Sequence, residues 1–154
     1  QEYRDSLNAK RDTSGYYLEP VSNDNSSVDV SGNQWKALAL PGNGVDVVKG
    51  TSLSFEFTLV EEVNFHAICL ADSLQLQTHR YFCFCVANAQ GLPIKNGFNV
   101  KIETTAVGET RSYSIPIWKH FLGRFKYLVF VQDSNTSDES LGNSRFGNIK
   151  FETI

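Results

Sequence analysis

The chain has no methionine, no long apolar run and no surplus of positive charge. Without about 20 consecutive apolar residues it has no candidate membrane span, so membrane insertion is not expected. A formal net charge of −3 offers no basic surface to a phosphate backbone, which argues against nucleic acid as a partner. A start at Gln1 without methionine, together with N-x-S/T triplets at Asn25 and Asn135, favours a processed protein that is secreted from the cell.

The usual catalytic motifs are also absent. The sequence has no G-x-S-x-G elbow, no H-E-x-x-H motif, no P-loop and no C-x-x-C pair. Its three histidines are scattered: His66 lies in an apolar run, and His79 and His120 lie in segments typical of surface loops. Because most buried polar groups are satisfied by hydrogen bonds, His66 is either a core residue or a polar contact of a binding site. We therefore expect a binding protein and not an enzyme.

Apolar residues recur with a period of two along most of the chain. The clearest examples are Leu53, Phe55, Phe57 and Leu59, then Phe98, Val100 and Ile102, and then Tyr113, Ile115 and Ile117. Turn-forming Gly, Pro and Asn residues separate the runs. This pattern predicts an all-β fold, an antiparallel β-sandwich or jelly roll of about ten strands. A single domain over residues 1–154 is expected, with residues 1–15 as an N-terminal arm or edge strand.

Two runs, residues 65–70 and 125–131, are apolar on both faces. Strands of this kind are typical of the centre of a sheet that is covered on each side. Each run leads into an acid, Asp72 after the first and Asp133 after the second. If the two strands run parallel, both acids emerge at the same rim of the sandwich.

The segment 133–139 is rich in oxygen-bearing side chains. Carboxylate and amide oxygens at alternate positions are the ligands that Ca²⁺ prefers, so we predict a calcium site at this rim. The alternative is a solvated polar loop, because Asp, Asn and Ser also favour turns. A glycan on Asn135 would crowd the calcium site. The candidate metal ligands are Asp72, Asp133, Asn135, Asp138 and Glu139.

The three cysteines leave two arrangements open. Cys83 and Cys85 point to one face of a predicted strand, where a bridge between them would be strained. Cys69 lies in another apolar run and can pair with one of them across the sheet, which leaves an odd cysteine for a disulfide between two chains. A disulfide-linked homodimer is one expectation, and three buried, reduced thiols are the other.

Six ordered segments resemble a carbohydrate-binding module found on agar- and glucan-degrading enzymes and on related secreted proteins. The segments are residues 32–38, 53–57, 66–68 with Asp72 beyond, 113–117, 128–133 and 146–149. The resemblance covers nearly the whole chain and implies a β-sandwich of that module's type, with glycans as partners. Trp118 follows a predicted strand end and is the candidate aromatic platform for a sugar ring.

A free-standing domain with a spare cysteine is also similar to the calcium-dependent, galactose-binding lectins of the sea-anemone type. That resemblance implies Ca²⁺ as a cofactor that coordinates hydroxyl groups of a terminal galactose. The residues implied or predicted to bind carbohydrate are Asp72, Gln132, Asp133, Asn135, His66 and Trp118.

Two other functions stay open. A small jelly-roll polysaccharide lyase or hydrolase needs an acid and a base in one cleft, for instance His66 with Tyr81 or two carboxylates. A secreted domain that resembles the C1q/TNF jelly rolls would bind a protein instead of a glycan. Fold-level analogy does not decide between these functions and a lectin.

Overall fold

The structure, a computed structural model, describes residues 19–20, 27–31, 34–61, 65–73, 81–89, 97–102, 104–133 and 143–154. This part of the chain contains twelve strands and two 3₁₀ helices, and it contains no helix able to cross a membrane. The strands are β1 (Glu19–Pro20), β2 (Ser27–Ser31), β3 (Gln34–Ala39), β4 (Val45–Val47), β5 (Thr51–Glu61), β6 (Phe65–Ala71), β7 (Tyr81–Ala89), β8 (Gly97–Lys101), β9 (Thr110–Ile115), β10 (Gly123–Phe125), β11 (Tyr127–Asp133) and β12 (Asn143–Thr153); the 3₁₀ helices are Pro41–Asn43 and Ile117–Lys119.

Two main sheets form a sandwich. One sheet has six strands in the order β1-β3-β11-β6-β7-β8, and the other has four in the order β2-β12-β5-β9. The short strands β4 and β10 form a separate antiparallel pair. The main sheets are antiparallel throughout except where β1 pairs with β3 and β7 with β8. The predicted all-β sandwich is confirmed.

The alternating strands build the core, as the period of two predicts. Along β5, apolar side chains alternate with half-buried polar ones, and Phe55 and Phe57 are at most 2% exposed. They meet Phe146 of β12, whose ring centroid lies 5.1 Å from that of Phe130 in the opposite sheet. Burial of these aromatic rings is the main driving force that holds the two sheets together. Ile117 is buried too, but it begins the second 3₁₀ helix and does not continue β9.

The two doubly apolar runs do form the centre of the larger sheet. β6 and β11 are neighbours there, and both faces of each are buried. The strands run antiparallel, however, with Ala71 opposite Tyr127 and Phe65 opposite Asp133. Asp72 and Asp133 therefore lie at opposite ends of the pair, roughly 24 Å apart at about 3.4 Å per residue. The expectation that both acids share one rim is wrong.

A disulfide joins the central strands β6 and β7. Cys69 and Cys83 face each other in the register, and their sulfur atoms lie 2.03 Å apart. Cys85, the odd cysteine, is only 2% exposed and lies opposite Ala67. The spare cysteine of the predicted disulfide-linked homodimer is thus buried inside the sheet, and the homodimer itself stays a prediction.

Candidate functional site

The predicted calcium loop lies mostly outside the described residues. Asn135, Asp138 and Glu139 fall there, and Asp133 is described only as the last backbone position of β11. Asp72 is half-buried at the other end of the sandwich, so it cannot share an ion with Asp133. Among the described residues, no three His, Cys, Asp or Glu side chains come together as a metal site. The loop itself stays a prediction without Asp72.

Two of the predicted sugar contacts lie inside the sandwich. His66 and Gln132 have no exposed surface, and Gln132 Oε1 accepts a hydrogen bond of 2.9 Å from Ser144 Oγ. Burial lowers the pKa of His66 from 6.5 to about 4, although a hydrogen bond with Gln132 partly opposes the shift. The core-histidine interpretation is confirmed. The expectation that His66 and Gln132 touch sugar is corrected, because buried side chains cannot reach a ligand.

Trp118 is half-buried in the 3₁₀ helix Ile117–Lys119 and packs against the edge of the core. The ammonium of Lys119 lies 5.8 Å from the centre of its ring. His120 is exposed, as the sequence predicts, although its ring contacts Phe84 at 5.6 Å between centroids. His79 lies outside the described residues. Trp118 therefore offers part of a ring at one end of the sandwich.

A groove of about 640 Å³ lies on the outer face of the four-stranded sheet; we call it the outer groove. Its volume is within the range of about 300–1,000 Å³ that is typical of ligand sites. Three adjacent strands contribute to it. The lining residues are Ser54, Phe55 and Glu56 of β5, Ser112 and Tyr113 of β9, and Asn148, Ile149 and Lys150 of β12.

A bulge in β12 creates the space for this groove. Gly147 pairs with Glu56 and Lys150 with Ser54, so two residues of β12 stand opposite one residue of β5. One of those two, Asn148, has φ 49°, a left-handed conformation that Asn tolerates better than most residues do. Gly147 adds no side chain beside Glu56, which leaves the face open at that position. Bulges are often found next to functional sites because they redirect side chains.

The outer groove carries two opposite charges that do not pair with each other. Glu56 is half-buried and Lys150 is exposed. Within the described part of the chain, neither side chain takes part in a hydrogen bond or ion pair. The next row of the sheet differs, because Arg145 pairs with Asp29 at 2.7 Å and Thr58 hydrogen-bonds Thr110 at 2.8 Å. The charges of the groove are thus available to a ligand, whereas those of the neighbouring row are satisfied.

The two aromatic residues of the groove contribute little open surface. Phe55 and Tyr113 are 2% and 9% exposed and stack on each other with centroids 5.1 Å apart. The Tyr113 hydroxyl is used internally, within 2.7 Å of Thr105 Oγ1 and 3.2 Å of the Val86 carbonyl oxygen. Recognition in the groove therefore depends on the polar groups of Ser54, Glu56, Ser112, Asn148 and Lys150.

One feature of the sequence indicates the outer groove, although the alternation of apolar residues does not reveal it. Along the last strand, Phe146 is followed by Gly147 and Asn148 before Ile149 and Phe151 resume the apolar positions. A glycine that interrupts alternation in a strand indicates a bulge or a close approach to another group. The partner of the bulge, Glu56, gives no such signal, because a polar residue at its position is expected on any solvated face.

No protein-family model, no curated protein and no solved structure matches the chain. The resemblance to a carbohydrate-binding module is thus supported only as far as an all-β sandwich. The polar and charged side chains of the outer groove are therefore the main indication of function.

Proposed function

We propose that the protein is a secreted carbohydrate-binding protein, a lectin, whose ligand lies in the outer groove. The observation that carries this proposal is the pair of opposite charges in the groove, Glu56 and Lys150, neither of which has a partner among the described residues. A carboxylate only accepts hydrogen bonds and an ammonium only donates them. A sugar hydroxyl does both at once, so neighbouring hydroxyls of one ring can accept from Lys150 and donate to Glu56.

The remaining polar groups favour the same class of ligand. The hydroxyl of Ser112 and the amide of Asn148 each donate and accept, as a ring with several hydroxyls requires, and the Ser54 hydroxyl, which donates to Ser114, can still accept. Hydrogen bonds to charged groups are stronger than those between neutral groups, so Glu56 and Lys150 are expected to contribute most of the affinity. Because Phe55 and Tyr113 are buried, ring stacking adds little.

The groove is equipped for binding and not for glycoside cleavage. Hydrolysis of a glycosidic bond ordinarily uses two carboxyl groups placed on either side of it. Glu56 is the one carboxylate among the residues that line the groove. The other charged group, Lys150, is an amine and not the second carboxyl group that this reaction ordinarily uses. We therefore propose a lectin in preference to the hydrolase alternative.

Binding in the outer groove is expected to be independent of calcium. A single carboxylate beside an ammonium is a poor site for a divalent cation, which takes several oxygen ligands. Calcium dependence therefore distinguishes binding in the groove from binding at the loop 133–139, where Ca²⁺ would bridge to a terminal galactose. The two proposals give opposite responses to a chelator.

A glycan array of the purified protein, probed with calcium and again with EDTA, tests the proposal. We expect binding that survives EDTA. Glu56→Gln should weaken that binding about tenfold, because it exchanges a charged acceptor for a neutral one. Glu152→Gln is the matched control, since Glu152 is exposed on the same sheet but does not line the groove.

Three results would count against the groove. Binding that EDTA abolishes, with unchanged thermal unfolding, assigns the ligand to the calcium loop. Equal affinity of the Glu56→Gln and Glu152→Gln variants excludes Glu56 from the site. If the wild-type protein binds no glycan on the array, the lectin proposal is wrong and the protein-interaction domain is favoured.

A further inference from the structure

We infer that the outer groove takes the interior of a linear glycan, which crosses the strands of the four-stranded sheet and leaves over its β9 edge. This inference rests on the proposed function and adds the class of ligand: an unbranched chain bound through internal units, instead of the terminal galactose that the sequence predicts. Three features of the described residues support it.

The first feature is the direction of the groove. Its lining comes from β12, β5 and β9, which are consecutive neighbours in the sheet. Strands in a sheet are spaced about 4.8 Å apart, so the groove spans about 10 Å at right angles to the strands. That length exceeds a single sugar ring. A linear oligosaccharide laid across the strands would place successive rings over successive strands.

The second feature is the point at which the groove reaches β9, which we call the passage. Ser112 lines the groove, whereas Thr110 and Ser114, its neighbours on the same face, do not. Thr110 hydrogen-bonds Thr58 at 2.8 Å, and Ser114 accepts a longer hydrogen bond of 3.5 Å from Ser54. The hydroxyls on either side of Ser112 are thus paired across the strands. A chain that continues from the groove beyond β5 is therefore expected to cross β9 at Ser112.

The third feature is that β9 is the last strand of this sheet. The order β2-β12-β5-β9 places no described strand beyond it, and Ser112 is exposed. A site for a terminal sugar needs a closed end that rejects a further unit. Among the described strands, none closes the outer groove at this edge, so a glycan chain can extend from it in that direction.

The test compares chain lengths on variants of this passage. Affinities of galactose, linear galactobiose and galactotetraose, and of the matching glucose series, are measured by calorimetry. We expect the tetrasaccharide to bind at least about tenfold more tightly than the monosaccharide in the series that binds. Ser112→Arg should remove this gain by blocking the passage, so that the ratio of tetrasaccharide to monosaccharide affinity falls to about one, whatever the change in monosaccharide affinity itself.

Thr110→Arg is the matched control. It adds the same side chain to the same strand and face, one position of the alternation away and outside the groove, and should keep the gain. The hydrogen-bond partner of Thr110, Thr58, does not line the groove either. Both positions are exposed, so the fold should tolerate both changes, which thermal unfolding verifies.

The outcomes distinguish a failure of the linear-glycan inference from a failure of the proposed lectin function. A wild-type protein that binds monosaccharide and tetrasaccharide equally overturns the inference but leaves the proposed function in place. So does a Ser112→Arg variant that behaves like Thr110→Arg. A wild-type protein that binds none of these sugars in either series contradicts the proposed function, and the inference with it.

Discussion

At the scale of single residues, a short chain of hydrogen bonds crosses the core. Ser144 of β12 donates to Gln132 of β11, and Gln132 also hydrogen-bonds His66 of β6. The three side chains have no exposed surface and belong to both sheets. Buried polar groups cost free energy unless they are paired, so this chain links the sheets at one specific register. It stabilises a particular pairing and does not form a ligand site.

The histidine in this chain makes stability depend on pH. The pKa of His66 is about 4 in the folded protein and 6.5 in an unfolded chain, because burial disfavours the charged form. Between these values the unfolded state binds more protons, so the free energy of unfolding falls as the pH is lowered from 6.5 to 4. His66 alone should remove about 3 kcal/mol over this window. Above pH 6.5 its contribution is fully present.

Urea unfolding across this pH window measures the effect. His66→Gln cannot titrate there and should show a flatter dependence of unfolding free energy on pH than the wild type. His120→Gln, which changes an exposed histidine, is made alongside as the control for the loss of an imidazole. Equal slopes in the wild type and in His66→Gln would mean that His66 is not the group responsible.

At the scale of elements, the turn between β3 and β4 depends on one glycine. Gly44 has φ 120°, and a Cβ atom placed on it would lie 2.5 Å from the carbonyl oxygen of Phe125 in β10. Gly42 also has a positive φ, 64°, but nothing lies within 4 Å of its Cβ position. The two positions thus separate conformational strain from a clash with the neighbouring strand.

Gly44→Ala should therefore be much more destabilising than Gly42→Ala. A left-handed conformation costs a residue with a Cβ about 1–2 kcal/mol, and this cost applies to both variants. Displacement of β10 from β4 adds at least about 1 kcal/mol in Gly44→Ala alone. Chemical denaturation of the two variants gives the difference. Equal stabilities would show that the turn relaxes without moving β10.

The sequence predicts those elements that depend only on the pattern of residues within one strand. The alternation of Leu53, Phe55 and Phe57 defines a buried face because successive side chains in a strand point in opposite directions. The same reasoning places residues 65–70 and 125–131 at the centre of a sheet. Alternation does not encode which strand is the neighbour or in which direction it runs. For that reason the shared rim of Asp72 and Asp133 is predicted wrongly.

The candidate site depends on the non-local part of the fold. Glu56 and Lys150 come together only because β5 pairs with β12, and the outer groove opens only because that pairing shifts register after Gly147. Oxygen-rich loops such as 133–139 are easier to recognise, because their chemistry is contiguous in sequence. The sequence therefore predicts a site at the loop and does not predict a groove that three strands form together.

At the scale of the whole molecule, the position of the cysteines determines how copies of the chain can associate. The Cys69–Cys83 disulfide joins β6 and β7 within one chain, and it should stabilise the fold by about 3 kcal/mol for a loop of this size. Cys85 is enclosed in the same sheet. Any homodimer that increases avidity for multivalent glycans is thus expected to be held by non-covalent contacts.

Alkylation and non-reducing electrophoresis test this arrangement. We expect a band of single-chain mass, a Cys69–Cys83 peptide in the digest, and a Cys85 thiol that reacts with iodoacetamide only after unfolding. Cys85→Ala should leave the electrophoretic pattern unchanged, whereas Cys69→Ala should release Cys83 as a second thiol. A covalent dimer that disappears in Cys85→Ala would show instead that Cys85 reaches the surface. The central sheet would then have to open for dimers to form, and the sandwich would be less rigid at β7 than the burial of its side chains indicates.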